Sequence, residues 1–140
     1  MTLMTTPKEN KRIVKRVYDE LNRGNLGIAD ELIVEGYVQH SILPVPQGRK
    51  GFKEFFAAFG AAFPDAHFKI EDMIAEGDKV ALRFAAEMTH KGTFMGVAPS
   101  GKRVRFTGID IFRLESGKVV EHWDEVDQLG FLRQLGIVPP

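Results

Sequence analysis

Apolar positions along this chain change period near its middle. As far as Phe63 they recur mostly at three- and four-residue intervals, and beyond Pro64 at every second residue. The first spacing is that of helices with one buried face and the second that of strands with one buried face. Thr6-Pro7-Lys8-Glu9 suits a helix start, with Thr6 as cap, Pro7 in the first turn and Glu9 as capping-box partner. Ile13, Val14, Val17, Tyr18 and Leu21 then share a face, and Gly24 is a natural stop. A shorter helix is expected to turn Leu26, Ala29, Leu32 and Ile33 inward. Tyr37–His40 reads as a brief strand, and Pro44 and Pro46 mark a loop. From Gly51 to Phe63 the pattern is helical again, with Phe52, Phe55, Phe56, Phe59 and Phe63 in one aromatic stripe closed by Pro64.

In the second half, Phe68, Ile70 and Ile74 alternate with Lys69 and Glu71, and Glu76-Gly77-Asp78 turns the chain. Val80, Leu82, Phe84, Ala86 and Met88 form the next apolar set, and Val104, Phe106, Gly108, Asp110, Phe112 and Leu114 the one after. Ser116-Gly117-Lys118 is hairpin-turn chemistry, followed by a last strand with Val120, His122, Asp124 and Val126 on one face. Leu129, Leu132 and Leu135 suggest a short closing helix or tail. Helices followed by an antiparallel meander predict an α+β fold in which the helices cover the sheet.

The 140 residues contain no repeat or long linker, so one domain over residues 1–140 is expected. With 19 Lys and Arg against 19 Asp and Glu the formal net charge is zero, which argues against nucleic acid or an acidic membrane as partner. No run reaches the ~18 apolar residues of a membrane span. The opening MTLMTTPKENK lacks a signal peptide's apolar core, so the cytoplasm is the expected compartment. Without cysteine there is no disulfide, thiol nucleophile or thiolate metal site. The 11 phenylalanines stand against 2 tyrosines and 1 tryptophan, an excess of wholly apolar aromatic volume. Core packing accounts for the stripe, and so does a roof over a cavity shaped for a flat hydrophobic ligand.

Three ionisable groups interrupt the apolar faces of the last two strands. A three-residue loop at Ser116–Lys118 keeps even positions opposite even positions, which pairs Arg113 with Glu121 on the other face. Asp110, His122 and Asp124 then fall among Phe106, Phe112, Leu114, Val120 and Val126. Buried carboxylates must be paired, protonated or in contact with solvent or ligand. One reading is a satisfied polar network locking the hairpin. The other is a pocket floor where an apolar wall raises a carboxyl pKa and makes a general acid/base, with His122 orienting it. Tyr18 and His40 are candidates to hydrogen-bond a ligand, and Phe52, Phe56, Phe84 and Phe112 to form the apolar wall. His90 and His67, at strand ends, read as solvated. No metal or other cofactor is expected, since no helical His-x-x-x-His or comparable spacing supports a site around His122-Trp123-Asp124. The opposite sheet face carries Ile109, Ile111 and Trp123 within a rim of Arg103, Arg105, Arg113 and Glu121, the composition of a homodimer or higher homo-oligomer interface. Cover by the C-terminal tail, or docking of a different protein, are the other readings of that patch.

Beyond these patterns, IVKRVYDELNRGN (13–25), ADELIVEGYVQH (29–40), Gly51–Asp65, IEDMIAEGDKV (70–80), FTGIDIF (106–112) and GKVVEHWDEVDQLG (117–130) together resemble the SnoaL-like polyketide cyclases, or ester cyclases. The resemblance implies the NTF2-like cone, a curved antiparallel sheet closed by helices around an apolar pocket, and oligomers formed through the sheet. It also implies a cofactor-independent intramolecular aldol condensation, with Asp124 as acid/base. Asp110 stands where those cyclases carry an assisting histidine. The expected function is therefore acid–base chemistry on a small, largely apolar carbonyl or ester substrate. A non-catalytic binder of small hydrophobic ligands, and an epoxide hydrolase or isomerase on the same scaffold, are the alternatives.

Overall fold

The computed structural model describes residues 5–41 and 45–139, so the expected loop residue Pro44 lies outside the described residues. Helix α1 (Pro7–Asn22) and the short α2 (Ile28–Leu32) lead into strand β1 (Ile33–His40) and helix α3 (Gly48–Ala62). Strands β2 (His67–Glu76), β3 (Lys79–Thr89), β4 (Arg103–Glu115) and β5 (Lys118–Val126) follow, and α4 (Gln128–Gln134) closes the chain. Thr6 caps α1 by accepting from the Glu9 amide, and Gly24, at φ 78°, ends that turn as predicted.

The five strands form one sheet in the order β1-β5-β4-β3-β2. It is a mixed sheet, because β1 runs parallel to β5 while the other pairs are antiparallel. The antiparallel meander expected from the sequence holds for β2–β5, and the correction to an antiparallel sheet is the parallel edge strand β1. The crossover through α3 and three further strands brings the chain back to β1 in the same direction. One face of the sheet is covered by α1, α2 and α3. There Val14, Val17, Ile28, Ala29, Phe52, Phe59 and Phe63 join Val80, Phe84, Met88, Val104 and Leu114 in a single core. The α+β expectation, with the helices as the cover, therefore holds.

Two bulges alter which residues face inward. The β4–β5 hairpin turns on two residues, Ser116 and Gly117, both with positive φ, rather than on three. Glu115 pairs with Lys118 and Leu114 with Val119, and the register then slips so that Arg113 pairs with Glu121. Val120 is the extra residue. Val119 therefore takes the buried place expected for Val120, and beyond the bulge the expected even-to-even facing is restored. A second bulge at Glu71 reverses the inward face of β2, so Met73 and Ala75 pack on the core while Ile74, expected inside, is 72% exposed. Smaller corrections concern element ends. Ile33 begins β1 rather than ending a helix, and α3 starts at Gly48, where Arg49 Nε donates to the Ile33 carbonyl at 2.8 Å. Phe131 rather than Leu129 anchors α4. His90, read as solvated, is fully buried beside Phe63, with Nδ1 3.0 Å from Ser100 Oγ, whereas His67 is exposed as expected.

Gly108 sits on the inner face of β4, where its lack of a side chain makes room for the Phe84 ring. A Cβ there would stand 2.6 Å from Phe84 Cζ and 2.9 Å from Val126 Cγ1. Gly108→Ala is expected to cost about 1–3 kcal/mol through overpacking, read as a lower urea midpoint with unchanged slope. An unchanged midpoint would show that Phe84 moves aside freely.

Candidate active site

The pleat of β4 and β5 brings the three ionisable residues together. Asp110 is directly opposite Asp124, and Phe112 opposite His122, so all three ionisable side chains lie on the inner face. Their nearest donor atoms fall within 4.8 Å of one another. His122 Nε2 is 3.0 Å from Asp110 Oδ1, and the phenylalanine face of Phe112 stacks on the imidazole with centroids 4.4 Å apart. The Tyr18 hydroxyl, from α1, donates to Asp110 Oδ2. On the other side, Gln39 Nε2 donates to Asp124 Oδ2 at 3.1 Å and Ser41 Oγ to Asp124 Oδ1 at 3.1 Å. Gln39 Oε1 accepts from the Tyr37 hydroxyl and lies 2.6 Å from His122 Nδ1.

Proton positions follow from these contacts. An ionised Asp124 only accepts, so the Gln39 amide must turn its NH₂ toward Asp124 and its oxygen toward His122. His122 Nδ1 then carries a hydrogen. The other ring nitrogen faces a carboxylate oxygen, so a single proton lies between His122 Nε2 and Asp110 Oδ1. The pair is an imidazolium beside a carboxylate, or a neutral imidazole beside a carboxylic acid.

Asp110 is 5% exposed and His122 9%, whereas Asp124 is only half-buried. Burial pushes the Asp124 carboxyl above the ordinary carboxylate range. The nearby Asp110 charge adds to that shift, while His122 and the bonds from Ser41 and Gln39 oppose it. Burial likewise raises the Tyr37 phenol, which stays protonated as the donor to Gln39.

These groups form the polar end of a cavity of about 150 Å³. Val17, Leu21, Phe52, Phe55, Phe56, Phe59, Phe68, Phe84, Phe94, Phe106 and Phe112 contribute to an otherwise apolar lining, and Met95, Val45 and Gln128 bring it to the surface. Each wall residue named from the sequence (Phe52, Phe56, Phe84 and Phe112) therefore faces this space, as do Tyr18, Asp110, His122 and Asp124. His40 does not, which corrects the expectation that it hydrogen-bonds a ligand. It lies on the outer sheet face, stacked on Trp123 at 5.1 Å and bonded through Nε2 to Glu121 Oε2 at 2.7 Å. Strand alternation explains the difference. Tyr37, Gln39 and Ser41 share one side of β1, and Val38 and His40 the other. That same alternation was the signal for Gln39 and Ser41, which the sequence reading passed over.

Comparison with known proteins agrees with this architecture. The family model for SnoaL-like polyketide cyclases matches residues 12–135. The chain belongs to the SnoaL-like polyketide cyclase family. The NTF2-like cone implied by the sequence resemblance is its fold. Among similar relatives, the chain is 28% identical over 128 residues to aklanonic acid methyl ester cyclase DauD of Streptomyces sp. strain C5, spanning 89% of this chain and 80% of that protein. It is 29% identical over 118 residues to the nogalonic acid methyl ester cyclase of Streptomyces nogalater, spanning 82% and 88%. The solved structure of TsrD from Streptomyces laurentii superposes with a TM-score of 0.86 at 27% identity, covering 96% of this chain and 99% of that one.

Two outcomes are expected from the proton arrangement. Nitrogen NMR of labelled histidine at neutral pH shows hydrogen on His122 Nδ1, and a deprotonated Nδ1 would overturn the assignment. Because the Asp124 carboxyl is harder to ionise in the fold than in the unfolded chain, the native protein loses stability as pH rises through the folded pKa. Asp124→Asn removes that loss. The melting temperature of the variant relative to native protein should therefore be higher at pH 7 than below the ordinary aspartate range. A difference independent of pH would refute the shift.

Proposed function

We propose that this SnoaL-like chain catalyses an intramolecular aldol-type ring closure of a small, flat, largely apolar keto ester by acid–base chemistry on its own side chains. The observation that carries this reading is the half-buried Asp124 carboxylate at the polar end of a phenylalanine-lined cavity, with a raised pKa. Asp124 takes the proton from the carbon beside a substrate carbonyl. The resulting enolate carbon attacks a second carbonyl of the same molecule, forming the ring bond. The new alkoxide takes up a proton, and the proton held by Asp124 restores the balance. The His122–Asp110 proton is the nearest internal source. Gln39 positions Asp124 against His122, and Tyr18 holds Asp110. The ring nitrogens and carboxylates of the cluster bond to one another and to Tyr18, Gln39 and Ser41, and the proposed reaction calls on no group beyond them.

Relatives named as cyclases of aklanonic and nogalonic acid methyl esters make those two esters the first substrates to assay. Native protein should convert at least one to a cyclised isomer of unchanged mass. Asp124→Asn should lower the rate by about 10²–10⁴-fold, the usual contribution of a placed acid/base. Equal turnover by the variant would sink the mechanism. The direct pairing of Asp110 with Asp124 also favours a second reading, a water held between two carboxylates for hydrolysis of an epoxide. Solvent oxygen appearing in the product would select it.

We further propose that the chain is one cytoplasmic domain acting as a homodimer through the outer sheet face. Ile109 and Ile111 are 52% and 36% exposed there, beside Val38 and the His40–Trp123 stack. Helix α4 does not cover them, since Gln134 bonds to the Arg105 backbone and Phe131 packs on Phe106 on the other face. The mixed charges of Arg83, Arg105, Arg113 and Glu121 around these residues suit contact with a second copy. Ile111→Arg should convert a dimer to a monomer in light scattering, and a native monomer at micromolar concentration would exclude the interface.

A further inference from the structure

The catalytic cavity is too small for the ligand it is proposed to take. Pockets that bury a drug-sized molecule usually enclose roughly 300–1,000 Å³, against about 150 Å³ here. On the far side of Leu21, Phe56, Phe59 and Phe68 lies a second cavity of about 330 Å³, open to solvent along Arg23, Gly24, Ala57, Gly60 and Pro64, between the end of α1, the C-terminal half of α3 and the start of β2. Leu21, Phe56, Phe59 and Phe68 line both spaces. The shared residues present side chains, not a strand or helix, as the barrier. On the β2 side the barrier is fixed, because Asn22 bonds to both the amide and the carbonyl of Phe68 at 2.9 Å. Leu21 and Phe56 are only half-buried, and each can take another staggered rotamer. Turning them aside would join the two spaces into one of ordinary ligand size.

The far lobe differs in chemistry from the near one. Its end is formed by Gly24 and Gly60, which expose backbone, and by Asn22 and Arg23. Among the described residues Arg23 is the only charged one in its lining, with its side chain 70% exposed at the rim. Its Nη1 bonds to Glu20 Oε1 at 2.8 Å, and the guanidinium carries further N–H donors for an oxygen acceptor.

We propose that this second cavity is a subsite for the distal arm of the same ligand, an arm ending in a carboxylate or an ester carbonyl. The proposal rests on the near cavity holding the flat apolar part of the ligand beside Asp124. Phe56 and Leu21 then determine specificity, admitting substrates with an arm and holding the ring system forward when the arm is seated. The acceptor end is oriented by Arg23, far from the reacting carbon.

Binding of three probes tests this, measured by calorimetry on the full chain: naphthol, which is only a flat ring system, and naphthyloxyhexanoic acid and its methyl ester, which add the arm. Native protein should bind the arm-bearing probes about tenfold or more tighter than naphthol. Gly60→Phe should fill the far lobe, since a Cβ there meets nothing within 4 Å. It should abolish the preference while leaving naphthol affinity unchanged. Gly60→Ala, which leaves the lobe largely empty, should keep the preference and so controls for the helix. Arg23→Gln should weaken the acid alone if a carboxylate is recognised, and both arm-bearing probes if a carbonyl is. A preference that survives Gly60→Phe, or an Arg23→Gln that weakens neither arm-bearing probe, overturns the subsite while leaving the near cavity intact. Failure of native protein to bind naphthol removes the near-cavity reading and the subsite with it.

Discussion

The proton between His122 Nε2 and Asp110 Oδ1 is the interaction on which the inner face of the sheet depends. Asp110 is set among phenylalanines where a lone charge would be costly, and it is tolerable there because His122 and Tyr18 bond to its oxygens. Those bonds also tie the fold together. Tyr18 fastens α1 to β4, His122 fastens β5 to β4, and Gln39 brings in the parallel edge strand β1. Truncating any one of these partners would leave another buried polar group unsatisfied. The network therefore ties the fold together, and the proposed chemistry draws on the same atoms.

Its members are not equivalent. Asp110 and Asp124 are cross-strand neighbours of the same chemistry and both line the cavity, yet the first is buried and bonded to an imidazole, while the second is half-buried and held by an amide and a hydroxyl. Of the two, Asp124 is the carboxyl that the proposed mechanism uses as its base.

Much of this was visible in the chain. The Thr6 cap, the phenylalanine stripe of α3, the alternating set from Val104 to Leu114 and the pairing of Arg113 with Glu121 all rest on local spacing, and they appear as expected. The reversals at Val120 and Ile74 have one cause. Val120 and Ile74 were assigned by counting alternate residues through positions where a bulge inserts one extra, and bulges have no reliable signature in composition. His40 differs: its chemistry suits a ligand contact, but alternation from the inward Tyr37 turns it to the outer face. His90 was judged by its place at a strand end, whereas the loop that follows folds back so that Ser100 covers it.

The sequence by itself determined the layers, the face each strand buries over most of its length, and the presence of Asp110, His122 and Asp124 together on one such face. These follow from residue periodicity, which the backbone geometry of helix and strand imposes locally. Only the tertiary structure decided that Gln39 bridges Asp124 to His122, that Tyr18 reaches Asp110 across the core, and that the phenylalanines leave a space rather than fill it. Each of those depends on side chains that are distant along the chain. Whether they meet is set by how α1, α3 and the parallel edge strand pack on the sheet, which no local pattern specifies.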